Sequence, residues 1–212
     1  MKKAFIFDMD GVIINSEPLH AKAKLQVLRR YGLDCGEKEL VRYVGRTACD
    51  FYTEFLQQHP LKGVTAEDLT ELKHEIYLDS LAKNESIKPI EGVKDLLARL
   101  QKAGYLIALG SSSTPKIIDT VLTRFGIKAY FKVILAGSEL PRSKPDPAIY
   151  LLAAQKLQVK PEECVVLEDA ASGIAAAKAA GMYCIAYRNP TSGPQDLDRA
   201  DLVVEQLADI KI

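Results

Sequence analysis

With 212 residues, 48% hydrophobic and 26% charged, the chain has the composition of an ordinary globular protein and enough apolar side chains for a sizeable core. Its 28 Lys and Arg balance 28 Asp and Glu, so nothing in the charge points to nucleic acid or an acidic membrane surface as a partner. The apolar runs are too short to span a bilayer, no signal-like segment is seen, and the four cysteines form neither a CxxC pair nor a zinc spacing. We therefore expect a cytoplasmic, monomeric protein with reduced thiols.

The first apolar run, Ala4 to Phe7, is continuous rather than alternating, as in a parallel strand covered on both faces. From about Glu17 to Asn84 the pattern becomes helical and no strand is evident. Leu19 to Tyr31, Glu37 to Val44, Ala48 to Gln58 and Ala66 to Ala82 each fit a helix. Residues 16–85 are therefore expected to form an inserted helical domain. Pro89 and Gly92 mark the return to a core built from 1–15 and 86–212.

Beyond that point helices and strands alternate. Val93 to Ala103 is a helix closed by Gly104, followed by a strand from Tyr105 to Leu109. Pro115 to Phe125 begins with a first-turn proline and ends at Gly126, before a strand over Val133 to Ala136. A helix over Pro147 to Leu157 leads to a strand over Val165 to Leu167. A helix over Ile174 to Ala180, closed by Gly181, precedes strands at Tyr183 to Tyr187 and Leu202 to Val204. This alternation predicts an α/β fold, a doubly wound, Rossmann-like parallel sheet.

In such sheets ligands bind beyond the carboxyl ends of the strands. The first strand delivers Asp8-Met9-Asp10-Gly11, the second Gly110-Ser111-Ser112-Ser113, and the fourth Glu168-Asp169. The third leads to a loop holding Lys144-Pro145-Asp146-Pro147. An aspartate is ionised at neutral pH, its reference pKa being about 3.9, so Asp8 can attack phosphorus without a base to activate it. A divalent cation offsets the repulsion between carboxylate and phosphate, and Asp8, Asp169 and the adjacent Glu168 suit Mg²⁺. Lys144 and Ser111 would bind the phosphoryl oxygens, while Asp10, two residues from Asp8, would shuttle the proton. Ser112 and Ser113 serve either to cap the next helix or to contact substrate.

The segments Phe7 to Gly11, Ser111, Lys144 to Pro147 and Glu168 to Gly173 resemble the four motifs of the haloacid dehalogenase superfamily, closest to its β-phosphoglucomutase-like phosphatases. The resemblance spans nearly the whole chain and implies a helical cap inserted between the first two motifs. It implies Asp8 as nucleophile, Asp10 as general acid and base, and Mg²⁺ held by Asp8, the Asp10 carbonyl and Asp169, with Glu168 joining that shell. Ser16 to His20 resembles the sugar phosphatases of this branch, and His20 falls where the mutase carries a histidine implicated in positioning the acid/base aspartate. Asn15 stands where Asp is usual.

The related mutases place a Lys before the glycine of Val44-Gly45-Arg46-Thr47 and an Arg three residues after it. Here those positions are Val44 and Ala48, and Arg46 is the remaining cation for substrate. That favours a phosphatase acting on a small phosphorylated metabolite, most simply a sugar phosphate, over a β-phosphoglucomutase-type mutase. Two further alternatives are a receiver domain phosphorylated on aspartate, in which Asp10 would have no task, and a degenerate binding protein on the same fold.

Overall fold

In a computed structural model that describes residues 2–36, 40 and 47–212, six strands form one sheet. They are β1 (Ala4–Phe7), β2 (Leu106–Ser111), β3 (Val133–Ala136), β4 (Cys164–Glu168), β5 (Tyr183–Tyr187) and β6 (Leu202–Val204). All neighbouring pairs are parallel and the order is β3-β2-β1-β4-β5-β6. The chain winds outward from β1 to β3, then crosses back to place β4 on the other side of β1. The winding therefore reverses between β1 and β4, where an open α/β sheet leaves a crevice at its carboxyl edge. Phe7 pairs with Leu109 on one side and Leu167 on the other, so the next residues, Asp8, Gly110 and Glu168, follow at one level.

The described residues divide into two compact units, Met1–Asn15 with Lys88–Ile212, and Ser16–Ile87. In the first, the central strands β1 and β4 are buried along their whole length, which explains their unbroken apolar runs, whereas Leu202 and Val203 of the edge strand β6 are exposed. Ala4, Ile6, Ala108, Cys164, Val166 and Cys184 pack with residues of helices α6 (Ala148–Leu157) and α7 (Ala171–Ala179). Helices α4 (Val93–Lys102) and α5 (Pro115–Phe125) complete the unit and bury Leu96, Leu100, Ile118 and Leu122. Cys164 and Cys184 are buried within β4 and β5, and burial pushes their thiols up to about 11 and about 12.

The second unit contains α1 (Glu17–Arg30), α2 (Ala48–Gln58) and α3 (Ala66–Lys83) among the described residues. Thr47 caps α2 by accepting from the Asp50 N–H, and Thr65 with Asp68 forms a capping box on α3. Val27, Leu28, Phe51, Phe55, Leu69 and Leu81 form its buried apolar interior. No helix among the described residues is long and apolar enough to cross a membrane.

Of the boundaries that differ from the sequence reading, two bear on the carboxyl edge of the sheet. β2 continues past Leu109 to Ser111, because Gly110 and Ser111 pair with Leu135 and Ala136 of β3. α7 begins at Ala171 rather than Ile174, so Gly173 lies within its first turn. The short helix expected over Glu37 to Val44 falls, apart from Leu40, outside the described residues.

Candidate active site

At the carboxyl edge of β1, the chain turns sharply. Main-chain N–H groups of Ile13 and Ile14 donate to the Met9 carbonyl at 2.8 and 3.1 Å, and Gly11 N donates to Ile14 O at 2.8 Å. Gly11 has φ +81°, and a Cβ there would lie 1.8 Å from Asp169 Oδ2. Only glycine both adopts that backbone conformation and lets the Asp169 carboxylate approach. The turn thus sets Asp8 and Asp169 side by side.

Lys144 is the electrostatic centre. Its Nζ donates to Asp8 Oδ1 at 2.6 Å, Glu168 Oε1 at 2.7 Å and Gly110 O at 3.0 Å, which uses all three ammonium hydrogens. Its side chain is only 7% exposed. Burial works against the ammonium, but Asp8 and Glu168 outweigh it and raise the Lys144 pKa above its ordinary value. The Lys144–Pro145 peptide is cis.

One oxygen each of Asp8, Glu168 and Asp169 lie within 4.8 Å of one another, and all three residues are buried. Burial raises the Asp8 carboxyl well above its usual range; Lys144 opposes this, and Glu168, Asp10 and Asp169 add to it. Burial, followed by the Glu168 charge, pushes Asp169 up to about 7, against hydrogen bonding from Ser192 and attraction by Lys144. Four acidic side chains with one ammonium leave negative charge that a hard divalent cation with oxygen ligands would neutralise. The donor set fits Mg²⁺.

Asp10 accepts from Ser113 Oγ at 2.9 Å, and more weakly from Ser111 Oγ at 3.5 Å. The Ser111 oxygen in turn accepts from Ser113 N at 3.1 Å, so the buried hydroxyl points into the site with its hydrogen only loosely engaged. Thr114, not Ser112 or Ser113, is the N-cap residue of α5. Ser112 is exposed beside the site.

Asp8, Asp10, Ser111, Ser113, Lys144, Glu168 and Asp169 therefore meet in one unit. His20 belongs to the helical unit, where its ring stacks on Tyr77 with centroids 4.3 Å apart. Arg46 lies outside the described residues.

Sequence reasoning missed the supports. Tyr150 donates its hydroxyl to Glu168 Oε1 at 2.6 Å, and Ser192 donates to Asp169 Oδ2. Asn189 Nδ2 donates to Gly11 O and to Asn15 Oδ1, both at 2.8 Å, and Gln195 Oε1 accepts from Ala171 N at 3.1 Å. The segment after β5 thus ties down the Asp10–Asn15 turn, Asp169 and the start of α7. The Asn15 amide oxygen has a task here: it accepts from Asn189 and from Thr191 Oγ1 at 3.2 Å.

The model of the family described as haloacid dehalogenase-like hydrolase matches residues 5–187, from β1 to the end of β5. The chain belongs to that family. As a haloacid dehalogenase-like hydrolase it is an enzyme, which sets aside the receiver and the degenerate binding protein.

It is 34% identical over 189 residues to hexitol phosphatase B of Escherichia coli K12, covering 88% of this chain and 84% of that one. It is also 34% identical over 190 residues to the E. coli K12 fructose-1-phosphate phosphatase YqaB, covering 86% and 95%. The match to the Arabidopsis thaliana protein SUPPRESSOR OF QUENCHING 1, chloroplastic, at 35% identity over 190 residues, covers 89% of this chain but 18% of that longer protein. Among solved structures, CbbY of Rhodobacter sphaeroides in complex with xylulose 1,5-bisphosphate superposes with a TM-score of 0.87 at 27% identity, covering 99% and 96% of the two chains. β-Phosphoglucomutase of Clostridium difficile gives a TM-score of 0.81 at 28% identity, covering 100% and 94%.

Proposed function

We propose that this haloacid dehalogenase-like hydrolase is a Mg²⁺-dependent phosphatase that hydrolyses a small phosphomonoester, a sugar phosphate, through an aspartyl-phosphate intermediate. The observation that carries the reading is the buried Asp8–Lys144 pair at 2.6 Å, with Asp10 and Asp169 beside it at the end of β1. Similarity to a hexitol phosphatase and a fructose-1-phosphate phosphatase supports the substrate class.

Asp8 attacks phosphorus, forming the acyl-phosphate P–O bond as the ester P–O bond breaks. Asp10 gives its proton to the departing alkoxide. Asp10, now a carboxylate, takes a proton from water as that water attacks phosphorus, and the acyl-phosphate bond breaks to release inorganic phosphate and free Asp8. Ser113 orients Asp10 through its 2.9 Å hydrogen bond. Ser111 offers its hydroxyl to the phosphoryl oxygens, and Lys144, its hydrogens held by Asp8, Glu168 and Gly110, stabilises the transition state through its charge beside Asp8. Asp8 and Asp169 would hold the cation, which offsets the repulsion between nucleophile and phosphate. The helical unit, 16–85 in the sequence reading, acts as the cap that selects substrate, with His20 and Arg46 of that unit and Ser112 and Ser113 of the α/β unit as the substrate-binding residues. The protein works as a cytoplasmic monomer.

A phosphate-release screen over sugar, nucleotide and small-acid phosphates with Mg²⁺ tests this. Release from sugar phosphates, lost in excess EDTA and in folded Asp8→Asn protein, is expected; activity that survives either treatment refutes it. The structural likeness to β-phosphoglucomutase keeps one second reading in play. Clean conversion of glucose 1-phosphate to glucose 6-phosphate with a trace of bisphosphate would favour the mutase.

A further inference from the structure

Glu168 and its two acidic neighbours use their oxygens differently. Glu168 Oε1 accepts from Lys144 Nζ at 2.7 Å and from Tyr150 OH at 2.6 Å. Its Oε2 accepts from the main-chain N–H of Asp169 at 3.0 Å and of Ala170 at 3.2 Å. A carboxylate has about four lone-pair sites, and protein donors occupy that number here. Among the described residues, by contrast, no hydrogen bond reaches Asp8 Oδ2 or Asp169 Oδ1. Those two atoms are available to a cation, whereas each Glu168 oxygen already accepts from two protein donors, although one Glu168 oxygen lies within the same 4.8 Å cluster.

The surroundings of Glu168 are built for this arrangement. Tyr150 is fully buried, and its ring centroid lies 4.9 Å from Lys144 Nζ. A Cβ on Gly173 would lie 1.7 Å from Glu168 Oε1, so the carboxylate fills the space that the glycine leaves. All three Lys144 hydrogens are directed to Asp8, Glu168 and Gly110, and Glu168 is the partner that α6 and the start of α7 hold in place.

We propose that Tyr150 and Glu168 are positioning residues for Lys144, and that Glu168 stands outside the cation's ligand set, where the sequence reading had placed it. Tyr150 fixes the Glu168 carboxylate, Glu168 fixes the Lys144 ammonium, and Lys144 is thereby held against Asp8, where its charge faces the transferring group. The inference rests on the phosphoryl-transfer reading for the role of Lys144.

Three single variants and one double variant test it, with Mg²⁺ binding measured by calorimetry with MgCl₂ alone, and kcat and KM measured on the best ester. Tyr150→Phe keeps the ring and removes only the hydroxyl. It should lower kcat about tenfold and leave KM and the Mg²⁺ dissociation constant within about threefold. Glu168→Gln should likewise leave Mg²⁺ binding within about threefold, while Asp169→Asn weakens it by more than about tenfold.

If Tyr150 acts through Glu168, the double variant should lose no more than Glu168→Gln alone, within about twofold. Mg²⁺ binding weakened as much in Glu168→Gln as in Asp169→Asn would overturn the assignment, as would unaltered kcat in Tyr150→Phe or additive losses in the double variant. Should Glu168→Gln not fold, unchanged Mg²⁺ binding with reduced kcat in Tyr150→Phe supports the proposal, and unchanged kcat overturns it. If the unaltered protein turns over no ester, the phosphatase reading fails on its own, while calorimetry still decides whether Glu168 is a ligand.

Discussion

Gly173→Ala sets two physical effects against each other. In a helix, Ala is favoured over Gly by roughly 0.5–1 kcal/mol, so propensity alone predicts a more stable protein. The site predicts the reverse. The new Cβ would stand 1.7 Å from Glu168 Oε1, 2.0 Å from Cδ and 2.5 Å from Oε2, so the whole carboxylate must leave. Its departure breaks hydrogen bonds from Lys144, Tyr150, Asp169 and Ala170 and leaves the Tyr150 hydroxyl buried without an acceptor. Hydrogen bonds to a charged group contribute about 1.5–3 kcal/mol each, but such losses are not additive, so a net cost of about 3 kcal/mol is a reasonable lower figure. For a protein of this size that corresponds to a fall in Tm of about 6–12 °C. Thermal melts followed by far-UV circular dichroism, at matched pH and salt, measure it. A variant as stable as the parent, or more stable, would refute the claim that Gly173 exists to admit the Glu168 carboxylate.

Two other predictions concern the same edge of the sheet. Asp169 is pushed up to about 7 from an ordinary 3.8, so the folded state keeps a proton that the unfolded chain has lost. The stability this contributes is complete below about 3.8 and disappears as pH rises through about 7, with Asp8 shifted in the same direction. In EDTA, the Tm of the parent relative to that of Asp169→Asn should therefore fall across that window; taking the difference cancels the opposite trend of His74, which burial lowers to about 4. Saturating MgCl₂ should flatten the parent's fall, and a difference in EDTA that rises with pH would contradict the electrostatics. Asn189→Ala removes its two hydrogen bonds to the Asp10–Asn15 turn, leaving that from Thr191 to Asn15, and deprives the Gly11 carbonyl of its Asn189 partner. It should cost about 1–3 kcal/mol in urea unfolding and reduce turnover, and an unchanged midpoint would show that the turn holds itself.

Much of this arrangement is legible in the sequence because strand and helix signals depend on local pattern. The apolar runs that become β1 and β4 are continuous because these central strands are buried along their whole length, and the polar residues that end β1, β2 and β4 appear in the sequence as their endings. The supports are not legible in the same way. Tyr150 reads as an ordinary core aromatic of an apolar helix, and its hydroxyl gains a purpose only when β4 delivers Glu168 to it. Asn189 and Ser192 lie in a Pro- and Gly-rich stretch that reads as plain loop, although they hold Gly11 and Asp169.

Gly173 misled most directly. The sequence reading begins the helix at Ile174 and gives Gly173 no task beyond its motif, whereas its lack of a side chain serves a carboxylate from the neighbouring strand. Asn15 similarly gains an account only from Asn189 and Thr191. Spacing along the chain carries no record of which distant element arrives at a site.

The central claim is that Asp8 forms a covalent bond to phosphorus, and its direct test is chemical trapping. Turnover of the best sugar phosphate with Mg²⁺ would be quenched in acid part-way through, then treated with borohydride, which reduces an aspartyl phosphate to homoserine. Peptide mass spectrometry should find homoserine at position 8, dependent on substrate. Homoserine elsewhere, or an unmodified Asp8 in protein quenched while it is releasing phosphate, would contradict the account.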